Sequence, residues 1–195
     1  MPTEFEPPAL WSRFRDTFKA EAEACDLDDL AKAWASRTER TCFYADLLLQ
    51  RVARSLKLEL VREPWKIDFA MTIASSNGSP IPIVFIESEN DVRDADHEVR
   101  KLCCHAAPLK VLITVAAWDE SPGSWPGGGH KSEHLRRWQD IVREHGTVWL
   151  HRGLLGVLVG EWHDKKGRFR FYAYAISPDG SLVDSGPEVL VDRPV

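Results

Sequence analysis

"IPIVFIESEND", residues 81–91, begins as an apolar run and ends in Glu87, Glu89, Asn90 and Asp91. Ile81 to Ile86 has the β-branched and aromatic content of a buried strand. Successive strand side chains point to opposite faces, so Glu87 and Glu89, two residues apart, are aimed at the same face of a sheet. Like charges on a core strand raise one another's pKa unless a cation neutralises them. The stretch therefore asks what stands opposite its carboxylates.

The preceding segment supplies a candidate. "WKIDFAMTIA", residues 65–74, alternates with Ile67, Phe69, Met71 and Ile73 on one face and Lys66, Asp68, Ala70 and Thr72 on the other. "SSNGSP" follows, and Asn77-Gly78 between apolar runs is a strong hairpin signal. A two-residue turn there sets Asp68 opposite Glu87 and Lys66 opposite Glu89, with Cβ atoms roughly 4.5–5.5 Å apart. Pro80 and Pro82 share parity, so both missing N–H groups fall on one side of the strand.

Beyond Asn90, "DVRDADHEVRKLCCHAA" carries Val92, Val99, Leu102, Cys103 and Ala106 at helical spacing, with Pro108 marking its end. "LKVLITVAA" is a compact buried strand, and strand, helix, strand in this order reads as a right-handed parallel crossover. Upstream, about Ala9 to Leu58 reads as helices, with Cys42, Ala45, Leu49, Val52 and Leu56 on one face, and "LELVR" starts the first strand. Downstream, "WDESPGSWPGGGHKSE" reads as a mobile loop and "HLRRWQDIVREHG" as a helix ending at Gly146. "HDKKGR" reads as a turn between an apolar run and the alternating "RFRFYAYAI". The expectation is an α/β fold, a mixed central sheet flanked by helices, in one domain over 1–195. A helical part covers about 9–58, the motif-bearing core about 36–116, and a helix and strands about 131–195.

Composition narrows the class. The chain has 195 residues and 22.1 kDa, enough for one core of ordinary size. Hydrophobic residues make up 44% and charged residues 28%, and eight Trp argue for a packed interior. No apolar run approaches the roughly 20 residues needed to span a bilayer, and "MPTEFEPP" lacks a signal peptide's basic start. Cys25, Cys42, Cys103 and Cys104 show no CxxC pairing and read as reduced thiols. A cytoplasmic protein without membrane contact is expected. The formal charge of −5 does not advertise non-specific nucleic-acid binding, which needs clustered Lys and Arg.

Asp68, Glu87 and Glu89 are hard oxygen ligands suited to Mg²⁺ or Mn²⁺, ions that polarise a phosphate and activate water. The plainer alternative is a solvated hairpin end with Glu89 paired to Lys66. "WPGGGHKS" is broken as a phosphate loop by His130, and His130 with His134 lacks a third ligand.

With Asp68 near the start of one strand, Glu87-Ser88-Glu89 ending the next, then a helix and "LKVLITV", the chain resembles the PD-(D/E)XK nuclease superfamily, which has the restriction-endonuclease-like fold. The resemblance covers roughly residues 36–116 and rests on a short motif. It implies a restriction-endonuclease-like core and a Mg²⁺- or Mn²⁺-dependent nuclease hydrolysing DNA, with Asp68 and Glu87 holding the metal. Glu89 stands where the family expects Lys, a Glu-x-Glu variant, so the resemblance also allows a catalytically inactive module of the same fold used in assembly. Lys66 and Lys101 are candidates for the missing cation. Glu39, with Asp46 as a spare, is the candidate helix acid completing the metal site. Lys101, Lys131, Arg136 and Arg137 lead the candidates for contacting DNA, beside Arg93, Arg100, Lys165, Lys166 and Arg168. The reading also admits a homodimer.

Overall fold

The computed structural model describes residues 4–148, 153–183 and 188–195. The chain opens with helices α1 (Pro7–Glu23), α2 (Leu27–Ala35) and α3 (Arg37–Cys42). A π-helical stretch (Phe43–Leu48) then leads into α4 (Leu49–Leu56). Two prolines start α1, where a missing N–H breaks no helical bond, and Leu10, Trp11, Phe14, Phe18 and Ala22 form its buried stripe. The π-helical stretch adds a residue to the turn and rotates what precedes it. Phe43, Tyr44 and Arg40 consequently turn inward, whereas Cys42, expected on the apolar face, is exposed.

Eight strands form one sheet: β1 (Glu59–Arg62), β2 (Phe69–Ala74), β3 (Pro80–Glu89), β4 (Leu109–Val115), β5 (Leu154–His163), β6 (Arg168–Ile176), β7 (Leu182–Val183) and β8 (Val189–Pro194). They lie in chain order from β1 to β7, and β8 shares β6 with β7. The β3–β4 and β4–β5 pairings are parallel and every other pairing is antiparallel. The expected crossover from β3 to β4 runs through α5 (Ala95–Cys103). A second, from β4 to β5, runs through α6 (Lys131–Val148). α6 continues two residues past Gly146, where the sequence signal placed its end.

The expected α/β architecture, a mixed sheet with helices on both sides, is therefore present. One core joins α1, α2, the π-helical stretch and α4 to Phe69, Met71, Val84, Ile86, Val111 and Ile113. The other joins α5 and α6 to Ala70, Phe85, Leu112, Val157 and Tyr174. Gly156 permits close approach on the first side, since a Cβ there would lie 2.3 Å from the Trp11 ring. Among the described residues no helix is long and apolar enough to cross a membrane.

The β2–β3 hairpin reaches the expected register by an unexpected route. Ser75 N–H donates to Ser79 O at 2.8 Å, leaving Ser76, Asn77 and Gly78 as a three-residue loop. Thr72 then faces Pro82, one position off the two-residue register. A bulge between Met71 and Thr72 restores it, so Met71 faces Val84 and Phe69 faces Ile86. Extending that ladder by one residue sets Asp68 opposite Glu87. It does not extend to Lys66, because β2 begins only at Phe69. Pro64–Lys66 form a tight turn instead, with Glu63, Trp65 and Lys66 all at positive φ. The register opposing Lys66 to Glu89 is thus corrected.

Candidate functional site

The carboxyl ends of the parallel strands β3 and β4 meet the start of β2 at one end of the sheet, where open α/β sheets bind ligands. Glu87 projects from β3 beneath α5 and is 1% exposed. Asp68 is half-buried, and its Oδ2 accepts the Ser88 N–H at 2.9 Å, which ties β2 to the motif strand. Lys101, one helical turn beyond Glu98 on α5, places Nζ 2.7 Å from Glu87 Oε1 and 3.0 Å from Glu98 Oε2. The Glu87 contact is a close ion pair without hydrogen-bond alignment, and Oε1 has no hydrogen-bond partner among the described residues.

Electrostatics follow from this packing. Burial drives the Glu87 carboxyl up to about 8; Lys101 opposes that shift while Asp68 and Glu98 add to it. Burial also raises Glu89, which is less enclosed and whose Oε1 accepts the Asp91 N–H at 2.9 Å. Asn90 and Asp91 are held from the opposite helical layer. Arg40 Nε donates to Asn90 Oδ1 at 2.7 Å, and Arg37 lies 3.4 Å from Asp91.

The residues singled out from sequence fare differently. Asp68 lies close enough to Glu87 for their charges to interact, and Lys101 joins them as the cation at Glu87, whereas Glu89 is tied to the Asp91 N–H and is not gathered with them among the described residues. Lys66 is exposed on the Pro64–Lys66 turn and makes no ion pair among the described residues. Glu39 lies on α3, 42% exposed, with its carboxylate 3.4 Å from Lys32. Asp46 pairs with Arg62. Among the described residues no three His, Cys, Asp or Glu side chains group closely enough to cage a metal, so Glu39 is not gathered with Asp68 and Glu87. Three of the cations proposed for DNA are engaged with acids: Lys131 with Glu188 at 3.1 Å, Arg136 with Asp140 at 3.5 Å, and Arg137 with Asp96 at 2.5 Å.

Sequence reasoning missed a second buried carboxylate. Glu161 on β5 is 1% exposed, and its Oε1 accepts the Trp118 N–H at 2.6 Å, the Asp119 N–H at 2.8 Å and Trp125 Nε1–H at 2.8 Å. Its Oε2 accepts from Tyr172 Oη at 2.8 Å. The Gly-rich loop, expected to be mobile, is pinned at three points to one oxygen. The signal was legible in "LLGVLVGEWH", where a single acid ends a run of apolar and small residues.

Two carboxylates, one buried and one tethered to the backbone, fit a hard cation that draws its remaining ligands from water and a phosphate. Mg²⁺ is commonly bound in this way, through one or two carboxylates and its substrate. No family model matches the chain, and neither does any curated protein. Among solved structures, the central domain of yeast acetyl-CoA carboxylase is similar at 10% identity with a TM-score of 0.40, covering 73% of this chain and 27% of that one.

Proposed function

We propose that this chain is a divalent-metal-dependent nuclease that hydrolyses DNA phosphodiester bonds, with the restriction-endonuclease-like core its motif suggests. The observation that carries the reading is the burial of Glu87 opposite Asp68 at the carboxyl end of a parallel strand pair. A fold rarely retains a buried carboxylate beside a second one without a use for the charge. Mg²⁺ or Mn²⁺ held by Asp68 and Glu87 would neutralise charge on the scissile phosphate and acidify a water. Asp68 is kept in place by the Ser88 N–H. Glu89, accepting from Asp91, orients water at the outer side of the pair. Lys101 supplies the positive charge that the motif would place at position 89. The reaction belongs in the cytoplasm, where the four free cysteines stay reduced.

A second reading is favoured by one contact. Lys101 already lies 2.7 Å from Glu87, so the pair satisfies itself without metal, as in a module of this fold that has lost catalysis and serves assembly. Cleavage assays with Mn²⁺ on single-stranded, duplex and branched DNA separate the two. The nuclease reading expects metal-dependent products that Asp68→Ala reduces by about a hundredfold or more. Wild-type-level cleavage by Asp68→Ala would defeat the assignment.

A further inference from the structure

Beside the carboxylates lies a strained turn that the reaction as described does not use. Glu63, Trp65 and Lys66 have φ of 51°, 53° and 65°, in the left-handed region that non-glycine residues rarely adopt and that clusters at functional sites. The turn is closed from both ends. Glu63 N–H donates to Asp68 O at 2.8 Å and Ile67 N–H to Pro64 O at 3.0 Å. Its strained backbone thus abuts a proposed metal ligand.

What the turn presents is an aromatic ring and a cation. Trp65 is 50% exposed, although Ile67, two residues on, is 1% exposed. Its ring meets Phe85 edge to face at a centroid distance of 5.8 Å, and Phe85 in turn meets His105 at 5.3 Å. Phe85 precedes Glu87 by two residues on the same face of β3. His105 follows Lys101 by one helical turn, and its Nδ1 lies 2.9 Å from the Lys101 carbonyl oxygen. The aromatic cluster is therefore the next layer along the sheet from the Glu87–Lys101 pair. Lys66, adjacent to Trp65, is exposed and makes no ion pair among the described residues, whereas Arg37, Arg93 and Lys101 near the site are all paired. Covering Phe85 with an indole would not by itself call for a left-handed backbone at two consecutive residues.

Resting on the nuclease reading, we infer that Trp65 stacks on an unpaired base next to the scissile phosphate while Lys66 contacts the adjoining backbone, so that the substrate is single-stranded or locally unpaired nucleic acid. An exposed indole needs a free base face, which a continuous duplex keeps within its own stack. A flanking cation tracks the phosphates without selecting sequence.

The test measures binding by fluorescence anisotropy of one labelled oligonucleotide, single-stranded and annealed to its complement, with Ca²⁺ replacing Mg²⁺. Wild type should bind the single strand more tightly. Trp65→Leu, which keeps apolar cover over Phe85, should lose about ten- to hundredfold on the single strand and little on the duplex. Trp65→Tyr should retain most of the affinity, and Lys66→Ala should weaken both forms and flatten the salt dependence. A Trp65→Leu protein that binds the single strand like wild type, or weakens equally on both forms, overturns this inference and leaves the nuclease reading standing. Wild type binding neither form overturns the nuclease reading and this inference together.

Discussion

Burial favours the neutral form of Glu87 and Lys101 favours the charged one, and their balance makes stability depend on pH. From the ordinary value of 4.5 the carboxyl is raised to about 8 in the folded protein. Across that window the native state holds more protons at this group than the unfolded chain does. Stability is therefore lost as pH rises from about 4.5 to about 8. Asp68 and Glu98 face the carboxylate and deepen the loss, while Lys101 limits it. Glu87→Gln, melted in chelator, should exceed wild type by about 1–3 kcal/mol at pH 8, with the gain shrinking towards pH 5. Lys101→Met should cost stability above pH 8, where Glu87 is charged in the folded protein, and little at pH 5, where Glu87 is already protonated. Equal costs at both pH values would contradict the assignment of charge. At this scale Asp68 and Glu87 were legible because strand alternation fixes which side chains share a face. Lys101 was legible only as a cation on the following helix, because its distance to Glu87 depends on how α5 crosses β3.

The β2–β3 hairpin holds its register through two irregularities that offset each other, a three-residue loop and a bulge. The sequence carries the asparagine-glycine signal and the alternation, so the pairing of the carboxylates could be read, but from a turn one residue too short. Lys66 departs from that pattern. Its alternation with Asp68 continues unbroken in the sequence, yet Pro64 begins a tight turn and the backbone leaves the ladder before Phe69. Gly78 sits at φ 82° with open space around a Cβ, so Gly78→Ala tests the backbone alone. It should cost about 1 kcal/mol in urea unfolding without changing metal affinity, since the bulge and not the loop sets the last step of the register. A loss of metal binding would instead place control of the register in the loop.

In the whole molecule, one sheet with helices on both faces concentrates polar side chains at the end where β3, β4 and β5 finish. Glu87 lies buried there beneath α5 with one cation, whereas Glu161 is consumed by holding the 118–130 loop. The fold class followed from the period changes along the chain. The second parallel crossover and the anchoring of that loop did not, because both depend on contacts far apart in sequence, such as Trp125 with Glu161. Glu161→Ala strands three N–H donors and should lower stability by about 3 kcal/mol or more, with protease nicking appearing between residues 119 and 130. An uncut loop with wild-type stability would show that the anchor is dispensable.

Calorimetric titration of Mn²⁺ into wild type and Glu87→Ala tests whether Asp68 and Glu87 hold a metal, without any choice of substrate. Wild type should bind saturably, and Glu87→Ala should not. Identical heats from the two proteins would contradict this and leave the Glu87–Lys101 pair as a structural ion pair.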